Sequence, residues 1–332
     1  MAGIVKEDAR KQVFGTNFVG KGKAATRDGY GKGLVKAGIK NNNVVALDAD
    51  LSDSTRSEWF KEKFPGRFFS IGIAEQDMIG TAAGLALSGK IPYASSFAIF
   101  SERAFELTRN IISRNKLNVK ITGRHAGLAT GEDGKSAQAI EDIAIYRSLP
   151  NMAVIQPADA IEAEKAVIAL LDYKGPSYMR LLRNPLPIIH DGKYKFQLGK
   201  GEILRNGKHA VIFATGTMVH ESLKAAEILK SDKIDAYVAN IHTIKPIDKK
   251  LIINLAKKTN CVITAEDHNI IGGLGSAVAE VLGENYPCRM LRIGMQDRYG
   301  ESGKPDELYE KYGLSARHVA MKVKEIVKKK NR

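Results

Sequence analysis

The segment Ser70-Ile-Gly-Ile-Ala-Glu-Gln-Asp-Met-Ile-Gly-Thr-Ala-Ala-Gly-Leu-Ala-Leu87 sets a carboxylate, Glu75, immediately before a run of small residues that reads as a helix over Gln76 to Ser88. A helix with so little side-chain bulk can pack very close to another chain. Taken alone, a glutamate at a helix N-terminus is a capping or dipole-favoured residue, so its surroundings must decide. On both sides, short apolar runs rich in β-branched residues alternate with longer helical patterns, the signature of parallel α/β structure. Candidate strands are Val44 to Ala49, Asn118 to Thr122, Ala153 to Gln156 and Tyr178 to Leu182, with a further helix over Ile140 to Ser148. The stretch Asn184 to Gly201 carries Pro185, Pro187, Gly192 and Gly199 with little periodicity and reads as an interdomain linker. A second series runs through His209 to Ala214, Asp235 to Asn240 and Cys261 to Ala265, and closes with a helix over Ser315 to Lys329. The fold class expected is therefore α/β in two domains, each a mainly parallel sheet flanked by helices. The boundaries expected are an N-terminal extension at 1–22, a first domain at 23–186, a linker at 187–200 and a second domain at 201–330.

Composition narrows the classes. The 332 residues are 44% hydrophobic and 27% charged, which excludes disordered and collagenous chains and allows two cores. No apolar stretch approaches the roughly 20 residues of a membrane-spanning helix, and the start MAGIVKEDARKQ lacks the apolar core of a signal peptide, so a cytoplasmic location is expected. The two cysteines, Cys261 and Cys288, sit beside strand-like residues without CxxC or Cys/His clustering; they read as core residues, and no metal ligand is expected. The net charge of +14 raises the question of nucleic acid. Its lysines are scattered over helix faces, the one dense run is Lys328 to Lys330, and no aromatic stripe interleaves with basic residues, so a solvated surface is the reading and no nucleic-acid partner is expected.

Downstream of Glu75 come Pro92-Tyr-Ala-Ser-Ser-Phe-Ala-Ile-Phe100, with Phe97 and Phe100 three apart at a strand-to-helix junction, and then His125-Ala-Gly-Leu-Ala-Thr-Gly-Glu-Asp-Gly134. Together with the Gly72-Ile-Ala-Glu-Gln76 motif, these segments resemble the pyrimidine-binding and C-terminal domains of the transketolase family, over roughly Lys23 to Val327. The resemblance implies thiamine diphosphate as cofactor. Glu75 takes the place of the glutamate that hydrogen-bonds the cofactor's aminopyrimidine ring and so activates it. Phe97 and Phe100 match the aromatics that enclose that ring and keep the glutamate poorly solvated, and Asp50 matches an aspartate near the cofactor at the subunit interface. Arg103 stands where transketolases often carry a tyrosine, a pattern closer to deoxyxylulose-phosphate synthases and to the β-subunits of oxoacid dehydrogenases. Arg27 and Ser54 match positions that bind the sugar phosphate, as does Arg183; an arginine fork suits that group better than a lysine. His125 and Asp133 match residues that contact the phosphate end and a hydroxyl of the sugar. Ala137 replaces a histidine that the family often carries four positions after that aspartate. The segment Glu266 to Glu280 resembles the part of the C-terminal domain that opens a helix, and His268 is read as a turn residue.

The absent half is equally informative. A full transketolase begins with a domain whose Gly-Asp-Gly motif and following asparagines bind Mg2+ and the diphosphate, and no segment here matches it. The resemblance therefore implies a split enzyme: an N-terminal partner subunit holding Mg2+, self-association of this chain to a dimer, and a heterotetramer acting on sugar phosphates. Two alternatives remain open at this point. A β-subunit of a 2-oxoacid dehydrogenase shares the Ile-Ala-Glu-Gln type motif and Arg103, but lacks a reason for Gly131-Glu-Asp-Gly, Arg27, Ser54 and Arg183. A non-catalytic basic scaffold is the reading that Ala137 keeps alive.

Overall fold

The computed structural model describes residues 22–330. The N-terminal extension expected at 1–22 thus lies outside the described residues except for Gly22. A short antiparallel pair ties the start of the described chain, β1 (Lys23–Ala24), to β8 (Leu186–Pro187). The first main sheet contains β2 (Val44–Asp48), β3 (Phe68–Ser70), β4 (Ile91–Phe97), β5 (Lys120–Arg124), β6 (Ala153–Ile155), β7 (Ser177–Leu181) and β12 (Thr243–Lys245). Its order is β12-β6-β7-β5-β4-β2-β3, parallel throughout except at β12. The second sheet contains β9 (Glu202–Arg205), β10 (Ala210–Ala214), β11 (Ala236–Asn240), β13 (Val262–Asn269) and β14 (Met290–Met295), in the order β14-β13-β10-β11-β9, with only β9 antiparallel. Strands β2, β5, β7 and β10 are buried at every position because helices cover both faces, which is why Val44 to Leu47 and all of β10 read as continuous apolar runs rather than alternating ones.

Helix Thr26–Lys40 crosses helix Ala160–Ala169 on Gly29 and Gly33. A Cβ on Gly29 would lie 2.0 Å from the Ala160 carbonyl oxygen, so the helices meet backbone to backbone. That contact fixes where the first turn of Thr26–Lys40, and Arg27 on it, sits over the sheet.

The connecting stretch is mostly irregular, as its composition predicts, but it packs as a strap: Ile189, His190 and Phe196 are buried, and Asp159 Oδ2 accepts the Ile189 and His190 amides at 2.7 and 2.8 Å. The first sheet also reaches past this strap, because β12 from beyond residue 200 forms its edge against β6. His268 is not in a turn. It ends a strand, fully buried, with Nδ1 2.6 Å from the Asn269 carbonyl oxygen, because β13 runs on to Asn269 before the chain bends. Cys261 is buried in the second core, whereas Cys288 is half-buried at the edge of another.

Each main sheet has a point where successive parallel strands are laid down to opposite sides, and such a switch leaves a crevice at the carboxyl ends of the strands. In the first sheet it falls between β2 and β4. In the second it falls between β10 and β13, and there a loop of the first domain fills it. Asp267 accepts the Leu128 amide at 2.9 Å, the Ala129 amide at 3.2 Å and the Tyr309 hydroxyl at 2.7 Å. Gly127 is required by this approach: its φ is +77° and a Cβ would lie 2.3 Å from the Asp267 carboxylate. Behind it, Arg180 Nη2 donates to the Asp267 carbonyl at 2.9 Å while its Nε holds Asp142 at 2.9 Å, all of them fully buried.

Candidate active site

The sequence-singled residues gather at the β2/β4 crevice. Glu75 opens helix Glu75–Leu87 and is 3% exposed, and no hydrogen bond from a described residue reaches its carboxylate. Its one charged neighbour among the described residues is Arg103, whose Nη1 is 3.9 Å from Oε2 and whose side chain is mostly exposed. Phe97 ends β4 and Phe100 lies in the helical turn Ala98–Ser101; their rings stack at 5.4 Å with an interplanar angle of 12°. Phe97 also faces His125 at 4.3 Å between ring centroids, joining the aromatic pair to the polar group beyond it. An acid withheld from water and a pair of parallel rings are each chemically apt to meet a flat, basic heterocycle.

The polar group is built from three elements. Ser54 stands in the turn Ser52–Thr55, anchored from below by Asp48, which accepts the Leu51 amide, the Thr55 hydroxyl at 2.6 Å and the Ser57 hydroxyl at 2.9 Å. Arg27 Nη1 donates to the Ser54 carbonyl at 3.0 Å, and Ser54 Oγ lies 3.0 Å from His125 Nε2. Arg183 pairs with Asp133 at 3.1 Å and donates to the Thr130 carbonyl at 2.6 Å, so the second half of the 125–134 loop is tethered to it. His125 adopts φ +59°, a left-handed conformation uncommon for a side-chain-bearing residue and held here by its surroundings. Asp50 is likewise left-handed, at φ +62°, but exposed, and its carboxylate makes no hydrogen bond or ion pair with a described residue. Ala137 lies half-buried in the turn that follows the loop.

Positive charge converges on this group. Burial first, then the charges of Arg27, Arg183, Arg124 and Arg56, drive the His125 pKa down to about 3. The imidazole is therefore neutral, and its buried Nδ1 has no partner among the described residues. Arg124 and Arg56 were not singled out in the sequence. The signal for Arg124 is a lone charge closing an apolar strand next to His125; its fully buried guanidinium lies 4.2 Å over the Tyr30 ring, with Nε and Nη1 unpartnered among the described residues. Arg56 is held by Asp28 at 2.9 Å. Spacing likewise gave no hint of Glu162, His190 and Glu202, which the fold brings together although no metal ligand was expected.

The His125 shift carries a pH prediction. The unfolded chain protonates this imidazole near pH 6.5, the folded chain only near 3, so the unfolded state holds the extra proton in between and stability falls as pH drops through that window. Glu266, raised to about 7 chiefly by burial, acts in the opposite direction between about 4.5 and 7, so the clean observable is a difference. Thermal unfolding of His125→Gln is expected to lose less midpoint temperature than the parent between pH 7.5 and 5; equal losses would contradict the assignment.

Comparison with known proteins agrees with this geometry. Residues 22–188 match the family model for the transketolase pyrimidine binding domain, and residues 199–319 the model for the transketolase C-terminal domain. A Methanocaldococcus jannaschii protein, provisionally named a transketolase C-terminal section, is 49% identical over 91% of this chain and 96% of its own length. The 6-deoxy-6-sulfo-D-fructose transketolase subunit SqwH of a Clostridium species is 42% identical over 92% of this chain and 95% of its own. Human transketolase is 38% identical over 92% of this chain but only 50% of its own length. Among solved structures, a split gene transketolase described as an inactive β4 tetramer superposes with a TM-score of 0.85 at 46% identity, covering 92% of this chain and 99% of that one. The chain belongs to the transketolase family. It corresponds to the pyrimidine-binding and C-terminal domains, about half the length of the single-chain human enzyme.

Proposed function

We propose that this chain is the pyrimidine-side subunit of a split transketolase, which moves a two-carbon ketol unit between sugar phosphates once joined to a partner subunit that holds Mg2+ and the cofactor's diphosphate. The observation carrying this reading is the row Phe100, Phe97, His125, Ser54 and Arg27, together with the buried Glu75 carboxylate and its neighbour Arg103. Thiamine diphosphate, when bound, supplies the carbon nucleophile and the sink for electrons. Glu75 then shares a proton with its pyrimidine ring, Phe97 and Phe100 cover that ring and exclude water, and Asp50 and Arg103 border it. Arg27, Ser54, His125 and Arg183 hold the terminal anion of the sugar, and Asp133 accepts from one of its hydroxyls. The division into 23–186, 187–200 and 201–330 is proposed as the functional one, with the reaction taking place in the cytoplasm.

Self-association is supported by the outer face of helix Glu75–Leu87. Ile73 and Leu87 are 76% and 74% exposed, and the space beside Gly80 and Gly84 is open. That a similar chain is an inactive tetramer of one subunit type supports assembly without activity until the partner joins. A second reading concerns the sugar: the relative named for a sulfo-sugar favours a sulfonate in place of the phosphate, and arginine forks accept either oxyanion.

The test mixes this chain with the diphosphate-binding subunit, thiamine diphosphate and Mg2+, and assays ketol transfer between phospho-sugars and from 6-deoxy-6-sulfofructose. Cofactor binding and transfer in the mixture and in neither subunit alone are expected. Arg27→Ala should raise KM for the anionic sugar by roughly 10- to 100-fold with kcat little changed, the worth of one charge-assisted contact of about 1.5–3 kcal/mol. Cofactor binding without transfer to any sugar would move the reaction to a 2-oxoacid. An associated, folded mixture that binds no cofactor would leave the scaffold reading.

A further inference from the structure

Three parts of the chain converge away from the crevice. Helix Ala160–Ala169 brings Glu162, the strap brings His190 and β9 brings Glu202, with one ligand atom of each within 4.8 Å of the others. His190 Nε2 lies 2.9 Å from Glu202 Oε2 and 4.0 Å from Glu162 Oε1. The other ring nitrogen, Nδ1, faces Asp159 Oδ2 at 3.0 Å. A second imidazole, His242, puts its Nε2 4.0 Å from the same Glu162 oxygen. All but Glu202 have buried side chains; that of Glu202 is 39% exposed, which opens the group to solvent.

Two features distinguish this group from an ordinary ion pair. The first is donor spacing: the Asp159 carboxylate lies 3.0 Å from Nδ1, which makes no hydrogen bond with a described residue, and the ring's other nitrogen is Nε2. Here that Nε2 is turned toward two carboxylates, and tetrahedral bonds of about 2.0–2.2 Å separate ligands by roughly 3.4 Å, between the 2.9 and 4.0 Å found. The second feature is charge. Asp159, Glu162 and Glu202 form no ion pair with any described lysine or arginine. Even one imidazolium leaves two negative charges in excess, only partly relieved by the amides of Ala158, Glu162, Ile189 and His190 and by the Tyr194 hydroxyl and Asn240 amide that hold the Glu162 carboxylate. A divalent ion cancels that excess. A nitrogen and oxygen donor set without thiolate selects the zinc and manganese class over copper(I).

We propose that Glu162, His190 and Glu202, with His242 as a fourth neighbour, form a site for a divalent zinc- or manganese-class ion that ties the two domains together. The site shares no hydrogen bond or ion pair with Glu75 or with the row from Phe100 to Arg27, so it stands independently of the ketol-transfer reading.

The full chain, stripped with chelator and dialysed, is titrated with Zn2+ and with Mn2+ by calorimetry, bound metal being counted by elemental analysis. One ion per chain and a raised unfolding temperature are expected for at least one of the two, since an ion bound only by the folded form stabilises it. Glu202→Gln, conservative and at the solvent-facing side, is expected to keep its circular dichroism and bind at least 10-fold more weakly. Co2+ loaded in place of the native ion gives a check on the parent chain that depends on no variant: visible absorption of a nitrogen- and oxygen-coordinated ion is expected. Absence of stoichiometric uptake, uptake unchanged by Glu202→Gln, or a Co2+ spectrum identical to the free aqueous ion would each overturn the site and leave an ion-paired seam.

Discussion

Glu75→Ala, assembled with the partner subunit, is expected to lose ketol transfer by about 10²–10⁴-fold, the range supplied by one placed proton donor or acceptor. The expectation follows from its isolation: the carboxylate is 3% exposed and unbonded by any described donor. Little stability should go with it. The residue opens its helix, but Ala74 at the cap uses no side chain, and Arg103 at 3.9 Å is largely in water, where an ion pair contributes on the order of 0–1 kcal/mol. Glu75→Gln separates the causes by keeping the shape and removing the proton-sharing oxygen; it should be nearly as inactive as the alanine variant while binding sugar phosphate normally. Steady-state rates and unfolding midpoints on both variants decide the matter. Near-normal transfer in either would remove Glu75 from the chemistry.

Asp267→Ala is expected to be the most damaging change outside the crevice. It deletes the acceptor of two backbone amides and one phenol, all buried, and each unsatisfied buried donor costs about 1–3 kcal/mol. A loss on the order of 3–5 kcal/mol is thus expected, large for a domain whose whole stability is about 5–15 kcal/mol. Because those amides belong to the loop between His125 and Asp133, activity should fall with stability, and amide exchange at 128–134 should accelerate more than in β2 or β4. Asp267→Asn keeps one acceptor oxygen and should recover part of both. An alanine variant with unaltered unfolding and loop exchange would show that the loop is held by other contacts.

Much of the fold was legible because its signals are local. Strands buried on both faces are dominated by apolar residues, so Val44 to Leu47 and Ala210 to Ala214 stand out as uninterrupted runs; the helix after Glu75 is marked by its small residues. Endpoints slipped where no sharp signal exists: β5 was expected from Asn118 to Thr122 and runs from Lys120 to Arg124, because a buried arginine over an aromatic face looks, in sequence, like a solvated end. His268 was misplaced for a related reason: its run Glu266-Asp-His is polar yet wholly interior, each side chain engaged in hydrogen bonding with backbone. The crevice residues were recognisable as spaced motifs, and the structure gathers most of them into contact, with Asp50 standing apart. The Glu162, His190 and Glu202 group was not legible, since what unites it is proximity across the strap and no periodicity encodes it.

The antiparallel edge strand at Thr243–Lys245 bears on how the protein comes off the ribosome. When the first 200 residues have emerged, the sheet they form ends at β6 with a row of unpaired backbone donors and acceptors, an edge open to any other extended chain. Some 40 further residues must be made before Lys245 can close it. The newborn first domain is therefore incomplete for an interval set by translation, and its protection is encoded in the half of the chain that follows.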